Sequence, residues 1–251
     1  MNTTRTWVLV TLLTALGPGT AFGQLSVLRS GGFAAPYREL LPAFESSSGV
    51  TVTSKVAASQ GSGPNTIPAL LRSGVIADVV ILSRGGLDEL IREGLIVAGS
   101  AVDLAQTPLG LTVRVGDPKP DISTVEGFKQ AVLRAKTVNL LSTPAFYLNE
   151  QVFPSLGIAD AVARKANGGA LANLPITEVT VLRPVSEIIH ARGFDFVGPV
   201  PSQIQFMSVF SAAVVTGSKQ VDAAKRLIAF LSSEEALAVA KKSGMEAVGG
   251  R

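Results

Sequence analysis

Residues 25–32 have the sequence Leu25-Ser26-Val27-Leu28-Arg29-Ser30-Gly31-Gly32, in which a short apolar run ends at a polar, glycine-rich corner. A helical pattern of apolar residues follows from Phe33. A strand that turns into a helix in this way leaves its carboxyl end facing a crevice, where the free N–H groups of the new helix stabilise an anion. We therefore expect Ser30 and its neighbours to form one wall of an anion site.

Three further corners of this kind follow predicted strands at residues 50–56, 77–82 and 137–141. The corners are Gln60–Asn65, Ser83–Gly86 and Ser142–Ala145. Strands that alternate with helices predict an α/β fold with parallel strands. Because ligands bind at the carboxyl ends of such strands, we expect the four corners to converge on one cleft. The serines at these corners are Ser30, Ser62, Ser83 and Ser142.

The first 23 residues have the pattern of a cleaved signal peptide. The start of the chain is weakly basic, residues 7–16 are mostly apolar, and small residues stand at Ala21 and Gly23. The apolar run is shorter than the roughly 20 residues that span a bilayer. We expect cleavage after Gly23 and export to the bacterial periplasm as a soluble protein. An N-terminal membrane anchor is the alternative.

The composition excludes several classes of protein. The chain has no cysteine, so it forms no disulfide and carries no lipid-modified cysteine. Its formal net charge is +3, and the basic residues are scattered, so we expect no nucleic-acid partner. With one histidine and no paired carboxylate motif, we expect neither a metal nor a cofactor. Hydrophobic residues make up 47% of the chain, enough for a large core.

The order of the predicted elements indicates two lobes after the signal peptide at residues 1–23. The first lobe comprises residues 24–108 plus 206–251, and the second comprises residues 109–205. A predicted strand from Leu109 opens the second lobe, and the connection at residues 199–205 returns the chain to the first lobe.

Motifs along essentially the whole chain after Gly23 resemble those of periplasmic molybdate-binding proteins of ABC importers. They are the strand-Ser-Gly-Gly sequence at 27–32, Ala-Asp-Val-Val at 77–80, Thr-Pro-Ala at 143–145, Val-Gly-Pro-Val-Pro at 197–201 and Phe-Ser-Ala-Ala-Val-Val at 210–215. The resemblance implies a type II periplasmic-binding fold, with two α/β lobes and the ligand in the cleft between them. It also implies a small anionic ligand and an ABC permease as partner, and we expect a monomer.

Residues 27–32, 118–123 and 185–187 resemble more closely a branch of that superfamily that includes bacterial aconitate isomerase. Enzymes of this kind move a proton across an allylic tricarboxylate without a cofactor. The chain departs from that branch at Arg183-Pro184, where the branch usually has glutamines. Its Pro144-Ala145 pair matches the molybdate binders instead.

The predicted identity of the ligand depends on whether the arginines at the corners contact it. The positions that match the neutral donors of molybdate-type sites are Ser30, Ser62 and Ala145. Arg29 and Arg84 indicate a planar carboxylate, because a guanidinium binds a carboxylate with two parallel hydrogen bonds. We therefore favour an organic di- or tricarboxylate over molybdate. The alternative is that both arginines extend outward at the sheet edge.

The sequence predicts a ligand-binding set and two candidate catalytic residues. The ligand-binding set is Arg29, Ser30, Gly31, Ser62, Arg84, Ser142, Ala145, Tyr147 and Ser186. An allylic proton shift needs a base whose pKa is near neutral, and the candidates are Glu187 and the single histidine, His190. Purely structural roles are the alternative for both. A solute-binding protein is the favoured interpretation, and an aconitate isomerase-like enzyme is the second hypothesis.

Overall fold

A computed structural model of the protein describes residues 23–61, 63–140, 143–175 and 177–249, without the side chains at 143 and 172. The predicted signal peptide up to residue 22, Ser62 and Ser142 lie outside the described residues. The strands are β1 (Gln24–Arg29), β2 (Thr51–Val56), β3 (Val79–Ser83), β4 (Val102–Arg114), β5 (Thr137–Leu140), β6 (Ala166–Asn167), β7 (Val179–Pro184), β8 (Phe194–Pro199) and β9 (Met207–Val214).

The α-helices cover the sheet and form the walls of the corners. They are α1 (Ala34–Ser48), α2 (Ile67–Arg72), α3 (Arg84–Arg92), α4 (Val125–Arg134), α5 (Thr143–Tyr147), α6 (Phe153–Ser155), α7 (Ala159–Ala163), α8 (Val185–Ile188), α9 (Val221–Leu231) and α10 (Glu234–Lys241). A π-helical turn, Leu148–Val152, joins α5 to α6, and short 3-10 turns lie at Leu171–Asn173 and Ser202–Ile204. Within the described ranges, no helix is both long and apolar enough to cross a membrane.

In the described part of the chain, the strands form one nine-stranded sheet in the order β2-β1-β3-β9-β4-β7-β5-β6, with β8 paired to β4. Strand β1 is parallel to β2 and β3, and β5 is parallel to β6 and β7. Strand β9 is antiparallel to β3 and β4, and β4 is antiparallel to β7 and β8. The α/β prediction is confirmed, but the expectation of parallel strands is wrong for β4 and β9. These two strands carry the chain from one half of the sheet to the other and back, so they run in opposite directions.

Strand β4 joins the two halves of the sheet. Its residues 102–108 pair with β9, and its residues 109–114 pair with β7 and β8. The sequence predicts a strand only from Leu109, because Asp103, Gln106 and Pro108 interrupt the apolar pattern of the first half.

The buried apolar side chains fall into two groups that follow the two halves of the sheet. One group draws its residues from 25–105 and 210–245, and the other from 109–204. Each half therefore has its own hydrophobic core. The residue boundaries given above for the two lobes stay a prediction.

The side chain of Gln205 ties together the segments that connect the halves. Its Oε1 accepts hydrogen bonds from the backbone N–H groups of Leu109 (2.7 Å) and Phe206 (2.9 Å). Its Nε2 donates to the carbonyls of Leu109 (3.2 Å) and Val200 (2.9 Å). The Gln205 amide thus holds the chain at Leu109, which enters the second half of the sheet, beside the segment 200–206, which leaves it.

The corner between β1 and α1 depends on a close contact at Gly32. A Cβ atom at this position would lie 1.8 Å from Cζ of Phe210 in β9, so only glycine fits against the ring. The corner is also fixed to β3, because the backbone N–H of Ser30 donates to the carbonyl of Ile81 (2.8 Å). The first corner is therefore a rigid part of the core.

We expect Gly32→Ala to destabilise the protein by about 1–3 kcal/mol, because the added methyl group overpacks the Phe210 ring. Urea unfolding followed by circular dichroism measures the effect. Gly63→Ala is the matched control, since a Cβ atom there would have no neighbour within 4 Å. Equal stability of the two variants would contradict the close contact.

Candidate functional site

The strand ends of both lobes meet at a small enclosed cavity of about 10 Å³, about the size that one water needs. Its lining residues are Ser59, Ser83, Pro144, Pro184, Glu187, Ser208 and Phe210. Larger open pockets of about 560, 400 and 360 Å³ are each lined by one half of the sheet alone. The small cavity joins the two halves, and a larger ligand enters it only if the lobes part.

Three serine hydroxyls in or beside this cavity are buried and have no hydrogen-bond partner among the described residues. They belong to Ser30 at the end of β1, Ser186 in α8 and Ser208 in β9. Ser30 and Ser208 are only 3% and 2% exposed. A buried polar group without a partner costs about 1–3 kcal/mol. Three such hydroxyls close together, contributed by both lobes, are typical of a site that binds a polar ligand or ordered water.

The carboxyl group of Glu187 reaches from α8 to the corner after β1. A Cβ atom on Gly31 would lie 3.5 Å from its Oε1. The side chain is 13% exposed, and it forms an ion pair in which Oε2 lies 3.8 Å from Nη1 of Arg183. Burial raises the pKa of the Glu187 carboxyl, and the positive charge of Arg183 opposes this rise.

The guanidinium of Arg183 is held in place by neutral acceptors. Its Nε donates to Oδ1 of Asn139 (2.9 Å), and its Nη2 donates to the carbonyl of Gly169 (3.1 Å). Asn139 is itself fixed, because its Nδ2 donates to the carbonyls of Asn167 (2.7 Å) and Gly169 (3.0 Å). Burial lowers the pKa of Arg183, and the Glu187 charge opposes this shift. The remaining guanidinium nitrogen of Arg183, Nη1, faces Glu187.

Arg29 carries a charge that no carboxylate among the described residues pairs. Its guanidinium lies over the ring of Tyr37, 5.2 Å from the ring centroid, and its Nε is buried without a partner. The Tyr37 hydroxyl is hydrogen-bonded to Oγ of Ser54 at 2.7 Å. Burial lowers the pKa of Arg29. The Nε of Arg29 therefore has unused hydrogen-bonding capacity among the described residues, although Arg29 does not itself line the inter-lobe cavity.

Arg84 is placed differently from Arg29. Its Nε donates to Asp88 (2.8 Å) and its Nη1 to Asp103 (3.1 Å), and these hydrogen bonds raise the pKa of the guanidinium. The side chain is 43% exposed and does not line the inter-lobe cavity. The structure therefore does not bring Arg84 together with Arg29 and Ser30.

The other predicted residues separate into those near the cavity and those outside it. Ala145 and Tyr147 of α5 pack on the apolar core of the second lobe, and the Tyr147 ring stacks on Phe206 at 5.1 Å. His190 is exposed, and its Nε2 lies 3.3 Å from the carbonyl oxygen of Lys242. It does not line the cavity. No group of three or more histidine, aspartate or glutamate side chains in the described part of the chain could hold a metal ion.

Several residues of the site were not predicted from the sequence. Ser59 and Ser208 line the cavity but follow no strand-to-corner pattern in the sequence. Asn139 is fully buried in β5, among apolar neighbours. A lone amide in an apolar strand is a signal that could have identified it, because buried polar groups need partners.

Comparison with known proteins agrees with this geometry. The family model described as bacterial extracellular solute-binding protein matches residues 25–246. Aconitate isomerase from Pseudomonas sp. is 34% identical over 232 residues, and the alignment covers 89% of this chain and 88% of the relative.

Solved structures show the same fold. The periplasmic molybdate-binding protein of Azotobacter vinelandii superposes with a TM-score of 0.70 and 18% identity, over 88% of this chain and 98% of that chain. The sulfate-binding protein SubI of Mycobacterium tuberculosis gives a TM-score of 0.67 and 16% identity, over 90% of this chain and 88% of that chain. The predicted type II periplasmic-binding fold, with two α/β lobes and a cleft between them, is confirmed.

We expect Asn139→Ala to lower the free energy of unfolding by about 3 kcal/mol, because Nε of the buried Arg183 loses its acceptor and two carbonyls lose a donor. Chemical denaturation measures the change. Gln130→Ala is the control, because the Gln130 amide bonds only to the exposed Glu126. Similar values for the two variants would contradict a fixed Arg183.

The raised pKa of Glu187 makes the stability of the ligand-free protein depend on pH. Folding favours the protonated form, so this stabilising contribution is complete below the unfolded pKa of about 4.3 and is lost as pH rises through the folded pKa. The Glu187→Gln variant does not lose stability in this way, because glutamine has no carboxyl group to ionise. Relative to wild type, the variant should gain up to about 1.4 kcal/mol per pH unit in that window. Thermal unfolding of both proteins at a series of pH values measures this, with the exposed Glu150→Gln as control. A constant difference between Glu187→Gln and wild type would contradict the assignment.

Proposed function

Since the chain belongs to the family of bacterial extracellular solute-binding proteins, we propose that it binds a small anion in the inter-lobe cleft and delivers it to an ABC importer from the periplasm. The ligand is a small oxyanion or an organic di- or tricarboxylate. The observation that carries this proposal is the group of buried serine hydroxyls from both lobes, at Ser30, Ser186 and Ser208, which have no hydrogen-bond partner among the described residues. Ser208 lines the cavity, and Ser30 and Ser186 are the sequence neighbours of Gly31 and Glu187, which lie against each other.

The two lobes offer different contacts to such a ligand. Arg29 and Ser30 belong to the corner of the first lobe, and Ser186 and Arg183 belong to the second lobe. A ligand that contacts both sets favours the closed arrangement over an open one, because only closure satisfies all of its hydrogen bonds. The ligand therefore stabilises closure.

The unpaired guanidinium of Arg29 favours an organic carboxylate over a tetrahedral oxyanion. A planar carboxylate accepts two parallel hydrogen bonds from such a fork. Arg84 adds nothing to this choice, because its donors are engaged by Asp88 and Asp103. The preference for a carboxylate thus depends on Arg29 alone.

We expect the protein to bind trans-aconitate or citrate, and Arg29→Gln to weaken that binding by about 10- to 150-fold, the value of a hydrogen bond to a charged group. Titration calorimetry with trans-aconitate, citrate, molybdate and sulfate measures the affinities. Arg38→Gln is the control, because Arg38 is an exposed arginine on the adjacent helix. Binding of molybdate or sulfate but of neither carboxylate would refute the role given to Arg29.

A second candidate function is the isomerisation of a bound allylic carboxylate. Glu187 favours it, because a buried carboxyl with a raised pKa can take a proton from one carbon and return it to another while the double bond moves. The 34% identical relative is named aconitate isomerase. The positive charge of Arg183, 3.8 Å from Glu187, would stabilise the negative charge that forms on the substrate.

An activity assay separates the two candidates. The purified protein is incubated with trans-aconitate, and cis-aconitate is followed by chromatography. An isomerase should lose its turnover in Glu187→Gln and keep it in His190→Ala, since His190 is exposed and does not line the cavity. Absence of turnover in the wild type, with binding of the same compound intact, would eliminate the isomerase and leave the transport function.

A further inference from the structure

We propose that the anion enters the inter-lobe site together with one proton, which the carboxyl group of Glu187 holds. This inference rests on the proposed function and concerns the regulation of that same site. It makes anion binding weaker as pH rises, although the anion itself keeps its charge.

The first argument is the position of Glu187. Its carboxyl group lies against the corner at Gly31, next to the unpartnered hydroxyl of Ser30, where an anion is expected to bind. Glu187 lines the inter-lobe cavity, so an anion that enters between the lobes lies close to its carboxyl group. Two negative charges close together, away from water, repel each other. Protonation of Glu187 removes this repulsion.

The second argument is the charge that surrounds Glu187. From its own lobe, Arg183 faces it at 3.8 Å. The other described side chains that line the cavity with it, from the remaining elements, carry no charge: Ser59, Ser83, Pro144, Pro184, Ser208 and Phe210. When Glu187 is ionised, it already neutralises Arg183, and Arg29 at the end of β1 is then the positive charge left for the anion. When Glu187 is protonated, the charge of Arg183 is available to the ligand.

The third argument is that the site already favours the protonated carboxyl. Burial raises the pKa of Glu187, and the charge of a bound anion raises it further. The proton comes from water, and no other bond is made or broken. The protonated carboxyl has an O–H group that can donate to the anion, as the serine hydroxyls do. At a pH where the Glu187 carboxyl is ionised in the ligand-free protein, binding of one anion thus consumes one proton.

The experiment is titration calorimetry with trans-aconitate between about pH 7.5 and pH 9, above the range in which its last carboxyl group titrates. The titration is repeated at one pH in two buffers of different ionisation enthalpy, which counts the protons taken up. Wild type should take up close to one proton for each ligand, and its Kd should rise by up to about tenfold per pH unit. This wild-type measurement needs no variant.

Two variants test whether Glu187 is the group that binds the proton. Glu187→Gln mimics the protonated carboxyl, so its Kd should be independent of pH and lower than that of wild type at pH 8.5. Glu150→Gln removes an exposed carboxylate and should behave as wild type. Wild-type binding without proton uptake, with a constant Kd, would overturn this inference and leave the proposed function intact. Failure of trans-aconitate, citrate, molybdate and sulfate to bind at any pH would instead overturn the proposed function, and this inference with it.

Discussion

A buried guanidinium needs acceptors for its N–H groups and a negative charge nearby, and this requirement fixes the side of the second lobe that faces the cavity. Arg183 satisfies the first need with Asn139 and the carbonyl of Gly169, which fix its orientation. Glu187 supplies the charge, but at 3.8 Å the pair is too long for a hydrogen bond. Nη1 of Arg183 is thus attracted to Glu187 by charge and does not donate a hydrogen bond to it.

The two lobes contribute unlike halves of the site. The first lobe provides a corner whose backbone is held rigid by the contact between Gly32 and Phe210 and by the bond from Ser30 to β3. The second lobe provides a charged pair on a helix of four residues, Val185–Ile188. A rigid corner of hydroxyl and N–H donors suffices to bind an anion. The pair of Arg183 and Glu187 adds a group that can gain or lose a proton. This combination is compatible with both functions proposed above, anion transport and isomerisation.

The sequence predicts the helices and strands better than it predicts where they contact one another. The periodicity of Val221–Leu231 gives helix α9 with its observed bounds, and the corner after β1 is correct. Strand direction leaves no periodic signal, so the antiparallel strands β4 and β9 could not be foreseen. Arg84 is predicted to bind the ligand because it follows a strand end, but it pairs with Asp88 in the same helix and with Asp103 on β4. The i,i+4 spacing to Asp88 is visible in the sequence, whereas the contact with Asp103 is not. The position of Glu187 depends on how the lobes close, which no local pattern records.

The route of the chain through the sheet also constrains how the protein is made. Strand β9 lies between β3 and β4 in the middle of the first lobe, yet it begins only at Met207, after the entire second lobe. The first lobe therefore cannot complete its sheet during synthesis until that late segment has emerged, whereas the second lobe, formed from residues 109–204, is a continuous insertion. A newly made chain thus keeps the sheet of its first lobe incomplete for most of its synthesis, so a stable first lobe forms only near the end of translation.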